Sequence, residues 1–112
     1  MPSQGEIVLI PVPFSDLSSN RRRPVIVISN DRYNSTMADM VVVAMTSNPV
    51  LTPYSFVITS ADLVRGTLNK PGRGRVDKIY TLLQASVVKS FGQVNTATMD
   101  RIRQILADLC RP

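Results

Sequence analysis

Apolar residues in this chain come in short β-branched runs, each closed by a residue that cannot extend it. Ile7-Val8-Leu9-Ile10 stops at Pro11, and Val25-Ile26-Val27-Ile28 starts directly after Pro24. Met40-Val41-Val42-Val43-Ala44-Met45 is a third run, and Tyr54-Ser55-Phe56-Val57-Ile58 shows partial alternation. Short runs of this kind, bounded by Pro, Asn, Ser and Gly, read as strands. Arg75 to Leu83 and Val87 to Val94 supply two or three more, with Gly92 at a bulge or bend. Only the last segment changes period. Met99, Ile102, Ile105, Leu106 and Leu109 form the stripe of an amphipathic helix, capped by Asn95 or Thr96, with Asp100 near its positive end. Many short strands and one terminal helix, without βαβ alternation, predict a mainly β fold with a C-terminal α-helix, a small and strongly bent barrel.

A length of 112 residues fits one domain, 1–112. What the chain lacks narrows its chemistry. It has no histidine, which removes imidazole acid–base catalysis, serine–histidine triads and histidine-ligated metals. The single cysteine, Cys110, excludes an internal disulfide framework and a cysteine-rich zinc site. Glu6 is the one glutamate and the aspartates are spread along the chain, so no oxygen-ligand metal cage and no cofactor is expected. Thirteen basic against eight acidic residues give a net charge of +5, which favours a polyanionic partner, nucleic acid first and an acidic protein segment second. No apolar run approaches the roughly 20 residues of a membrane span. Met1-Pro2-Ser3-Gln4-Gly5-Glu6 carries no basic n-region, so no secretory signal is expected and the location is read as cytoplasmic.

Three clusters have residue types suited to chemistry. Arg21-Arg22-Arg23 abuts Pro24; it is either a solvated loop or a phosphate clamp, since guanidinium groups match phosphate oxygens. Thr46-Ser47 ends the third run, where the hydroxyls either start the turn of Asn48-Pro49 or donate to a phosphate. In Arg73-Gly74-Arg75-Val76-Asp77-Lys78, strand alternation would put Arg75 and Asp77 on one face and Val76 and Lys78 on the other. That pair is either a surface ion pair or a base beside a cationic partner. Two connections have the length and composition of functional loops: polar Phe14 to Arg22, and the glycine-rich, basic Leu68 to Gly74.

Gly5-Glu6-Ile7-Val8-Leu9, Arg22-Arg23-Pro24-Val25-Ile26-Val27-Ile28-Ser29, Tyr33-Asn34, Val43-Ala44-Met45-Thr46-Ser47 and Asp77-Lys78-Ile79-Tyr80-Thr81 stand in a telling order. In that order and spacing the sequence resembles the MazF/PemK-type toxins. The resemblance implies an SH3-like barrel and a homodimer that cuts single-stranded RNA without metal, leaving a 2′,3′-cyclic phosphate and a 5′-hydroxyl. It also implies an antitoxin partner with an acidic inhibitory segment. The arginine before Pro-Val and the threonine ending the third strand, the catalytic pair of MazF-like members, match Arg23 and Thr46. The Arg-x-Asp pair of the PemK-like branch matches Arg75 and Asp77. That branch also uses a histidine in the first long loop, where this chain has none, and members often carry arginine where Tyr80 stands.

Without histidine or clustered carboxylates, such a nuclease must use the RNA's own 2′-hydroxyl as nucleophile. Asp77 is the expected base, because arginine, with a pKa above about 12, stays protonated. Arg23 is then clamp and acid, Thr46 a neutral donor to the phosphoryl oxygens, and Arg75 the group that orients Asp77 or shares the charge. Arg21, Arg22, Ser47, Lys78 and Tyr80 are the expected RNA contacts. Residues Ser15 to Arg22 are expected to move and to gate the groove. Two other classes compete: a gyrase-inhibiting toxin on a similar barrel, and a non-catalytic RNA-binding barrel. The first relies on an aromatic-anchored C-terminal helix end, and Asp108-Leu109-Cys110-Arg111-Pro112 has no aromatic.

Overall fold

The computed structural model describes residues 1–11 and 22–112. Within them the apolar runs form strands β1 (Glu6–Pro11), β2 (Arg22–Val27) and β3 (Asp39–Thr46), followed by β4 (Ser55–Ile58), β5 (Leu63–Arg65), β6 (Gly72–Leu83) and β7 (Lys89–Val94). They make one antiparallel sheet in the order β4-β6-β3-β2-β1-β7-β5. Helix α1 (Asp31–Thr36) links β2 to β3, and α2 (Thr96–Leu109) ends the chain. The expected mainly β fold with a terminal helix is therefore observed. Two small elements went unanticipated, β5 and α1, because three and six residues carry too little periodicity.

The runs are continuous rather than alternating because both faces of the sheet are buried. Ile7, Ile26, Val43, Met45, Phe56, Ile58, Val76 and Val94 face α2, which contributes Met99 and Ile102. Their alternate neighbours Val8, Ile10, Val25, Val27, Met40 and Val42 form a second core on the opposite face, against Tyr80, Leu82 and Val87. Asn95 caps α2 by accepting from Thr98 N at 2.8 Å. Gly5 joins the N-terminus to the sheet at φ 89°, donating to Val27 O at 2.7 Å, a backbone conformation that glycine adopts without cost. Asn34 is buried in α1, where its amide donates to Pro2 O at 3.1 Å and Ser29 O at 3.0 Å. The Tyr33-Asn34 motif thus has a structural reason, tying the chain start to α1.

Gly92 lies at the expected irregularity. Ile7 pairs with Gly92 and Val8 with Ser90, so Phe91 is an extra residue in β7. A larger irregularity interrupts β6, where Val43 pairs with Ile79 but Ala44 with Arg75. Residues 76–78 are inserted there, with consequences for the site below. Removing the side chain that pins α2 should expose how much the sheet relies on it. Ile102→Ala is expected to lose about 2–5 kcal/mol of stability in urea denaturation, the usual range for an aliphatic core truncation.

Candidate nucleic-acid interface

Antiparallel pairing gathers three strand ends at one edge of the second core. The start of β2 carries Arg22 and Arg23, the end of β3 carries Thr46, and the start of β6 carries Arg73 and Arg75. Thr46 lies opposite Arg73, and Ala44 opposite both Arg75 and Val25. Here the sheet opens into a cleft of about 260 Å³. Arg23, Thr46, Arg75, Lys78 and Tyr80 line it, over an apolar floor that includes Ile10, Val25 and Leu82. A second hollow of about 240 Å³ lies across the strand ends, between Arg22, Arg23, Thr46 and Ser47. The structure thus brings together eight of the nine predicted site residues, counting Asp77 through its pairing with Arg75. The ninth, Arg21, lies outside the described residues, as does the rest of the Phe14 to Arg22 connection apart from Arg22.

Simple alternation fails at Lys78. It predicts that Arg75 and Lys78 face opposite ways, yet both line the same cleft. Three inserted residues, an odd number, reverse the parity of β6. Before the insertion the odd-numbered Arg75 faces the cleft, and after it the even-numbered Tyr80 and Leu82 do. Gly74 faces the other way, where an added Cβ would lie 2.6 Å from the Phe56 ring; that crowding explains a glycine between two arginines.

Arg75 and Asp77 form a forked ion pair, Nε to Oδ1 at 2.9 Å and Nη2 to Oδ2 at 2.7 Å. The hydrogen bonds from the Arg75 guanidinium, aided by its charge, hold the Asp77 carboxyl below the usual carboxylate range, and the same bonds raise Arg75. Asp77 is therefore ionised throughout the neutral range. Thr46 Oγ1 accepts from Asn48 N at 3.1 Å, closing the turn, while the residue also lines the cleft and its hydroxyl hydrogen has no acceptor among the described residues. Asn48 Oδ1 then accepts from Val50 N at 3.0 Å. Sequence reasoning left Arg73 without a role. Its Nη2 donates to Pro49 O at 3.2 Å, supporting that same turn, while Nε and Nη1 are buried without a partner among the described residues. The residue was visible as part of a basic cluster, but its downward packing was not. Among the described residues no three His, Cys, Asp or Glu side chains gather as a metal site, and no helix is long and apolar enough to cross a membrane.

Because the lowered Asp77 pKa reflects a pairing absent from the unfolded chain, its stabilisation is present above the unfolded value and fades as pH falls through the folded one. The pair is partly exposed, so its worth is small. Asp77→Asn is expected to cost less than about 1 kcal/mol at neutral pH. In paired urea titrations that difference should shrink once the pH drops below about 3.9.

Among solved structures, an endoribonuclease from a mycobacterial species is 27% identical, with a TM-score of 0.74, covering 96% of this chain and 88% of that one. A mycobacterial endoribonuclease in complex with its cognate antitoxin is 24% identical, with a TM-score of 0.75, covering 100% and 98%. The MazE–MazF complex (form III) from Deinococcus radiodurans is 21% identical, with a TM-score of 0.77, covering 96% and 94%. No curated protein matches the sequence. The profile of the PemK-like, MazF-like toxins matches residues 3–110. With its order of motifs, its seven-stranded sheet and its terminal helix, the chain belongs to the PemK-like, MazF-like toxins of type II toxin–antitoxin systems.

Proposed function

We propose that this chain is a metal-independent endoribonuclease that cleaves single-stranded RNA by attack of the ribose 2′-hydroxyl, leaving a 2′,3′-cyclic phosphate and a 5′-hydroxyl. The observation that carries the reading is the convergence of Arg23, Thr46, Arg75 and Lys78 on one cleft, with a carboxylate, Asp77, forked onto Arg75. Cations surround the position a phosphate would take, and a proton acceptor stands beside them. The family membership and the endoribonuclease relatives support the same reading.

Each residue has a distinct task in this mechanism. Arg23 clamps the scissile phosphate and serves as donor to the departing 5′ oxygen. The Thr46 hydroxyl donates to a non-bridging oxygen, held in direction by its bond from Asn48 N. Asp77 takes the 2′-hydroxyl proton as the new O–P bond forms. While paired with Arg75 it is a weak base. An entering phosphate offers the Arg75 guanidinium a competing anion, and as Arg75 turns towards it the Asp77 carboxylate regains basicity where the proton must leave. Arg22, Ser47, Lys78 and Tyr80, together with Arg21, hold the flanking backbone and bases, with a salt-dependent contribution from the cations.

The net charge of +5 and the cationic cleft also suit an antitoxin whose acidic segment occupies the same groove. The antitoxin complexes among the relatives support that partner. Action as a cytoplasmic homodimer belongs to the same proposal.

Incubation with end-labelled single-stranded RNA in EDTA tests the reading. The expected result is cyclic-phosphate ends, with kcat/KM falling about 100-fold or more in Arg23→Ala and in Thr46→Ala. Binding without cleavage would favour a non-catalytic RNA-binding barrel. No effect on RNA, with inhibition of gyrase, would favour the protein-directed toxin.

A further inference from the structure

Beyond the cleft, the strand ends lead to a hollow that the mechanism above does not use. It has a volume of about 150 Å³ and shares Pro24, Met45, Thr46 and Ser47 with the Arg22–Arg23 hollow. Its far wall is the connection from Leu68 to Gly72, closed by Phe91. Three depressions therefore run in sequence over one sheet edge: the cationic cleft, the Arg22–Arg23 saddle, and this third hollow. The first two carry guanidinium groups. The third is walled by Leu68, Pro71, Met45 and the Phe91 ring, with the exposed Asn69 and Lys70 also on its lining.

We infer that the hollow between Phe91 and the Leu68–Gly72 connection is a nucleobase subsite, which takes a single-ring base of the RNA strand beside the cleaved linkage. The inference rests on the nuclease reading and names its specificity site. Charge decides the path: the saddle cations Arg22 and Arg23 hold backbone phosphate, which leaves the base to enter the apolar depression beyond. Size matches a single-ring base, since a hollow of about 150 Å³ gives room for one six-membered ring against Phe91. Aim is supplied by the irregularity in β7. Phe91 is the extra residue opposite β1, and such bulges redirect a side chain from the ladder. Its ring is half-buried, with one side packed on the core and the other lining the hollow. Stacking on that ring supplies affinity. Asn69, on the same wall, is exposed and its amide has no partner among the described residues, so it is available to read the base edge.

Position-resolved cleavage of a randomised RNA pool tests the subsite. The wild-type protein is expected to prefer a pyrimidine over a purine at one position next to the cut. Phe91→Ala should weaken that preference about tenfold while leaving the other positions unchanged. Asn69→Ala, an exposed change that leaves the core intact, should relax the choice between the two pyrimidines at the same position. Pro71→Trp, which fills the hollow, should abolish the preference. Unchanged profiles in all three variants, with the wild type cutting, would overturn the subsite and leave the nuclease reading standing. So would a purine preference at that position. Absence of any cutting by the wild type would overturn the nuclease reading and the subsite with it.

Discussion

Two-sided burial governs where polar chemistry can sit in this molecule. The central strands give one face to the core under α2 and the other to the second core, so neither face has room for a charge in mid-strand. Charged and hydroxylated side chains are pushed to the strand ends. Antiparallel pairing then brings the start of β2, the end of β3 and the start of β6 to the same edge. Arg23 and Thr46 meet there because each borders an apolar run, and Arg75 joins them from the start of β6, although 51 residues lie between Arg23 and Arg75 in the chain.

The electrostatics of that edge are lopsided. Among the described residues four cations, Arg22, Arg23, Arg75 and Lys78, line the two hollows, and the one carboxylate beside them is committed to Arg75. The other ion pairs of the described residues, Arg103–Asp100 on α2 and Asp108 of α2 with Arg111 just past its end, neutralise the helix surface. The net positive charge of the sequence is thus concentrated where a backbone of phosphates would be received. The terminal helix is left as a near-neutral cover for the opposite face.

Much of this was legible beforehand, for identifiable reasons. The apolar runs gave six of the seven strands, because both-face burial leaves a continuous apolar signature; β6 was read only from Arg75, and its first residues, Gly72 to Gly74, were taken into the preceding loop because two glycines and an arginine carry no such signature. The period of Met99 to Leu109 gave α2, and Asn95 proved to be the capping residue. Arg23 and Thr46 could be singled out because each borders a run. Lys78 could not be placed correctly: the insertion in β6 has no glycine at residues 76–78 to mark it, and alternation counted through it lands on the wrong face. Arg73 looked like one more surface arginine, and only packing against the turn at Pro49 distinguishes it. Phe91 read as an ordinary strand residue until pairing showed it standing outside the ladder.

The insertion at residues 76–78 also turns length into an all-or-none variable. Deleting one residue there would rotate everything downstream by half a turn of the pleat, exchanging the partners of Tyr80 and Leu82 for solvent and burying Ile79 and Thr81 instead. Deleting two would restore the original handedness of the pattern and merely tighten the loop. Lineages that drift in this stretch should therefore change by pairs, and an unpaired loss would have to be repaired by a second one nearby.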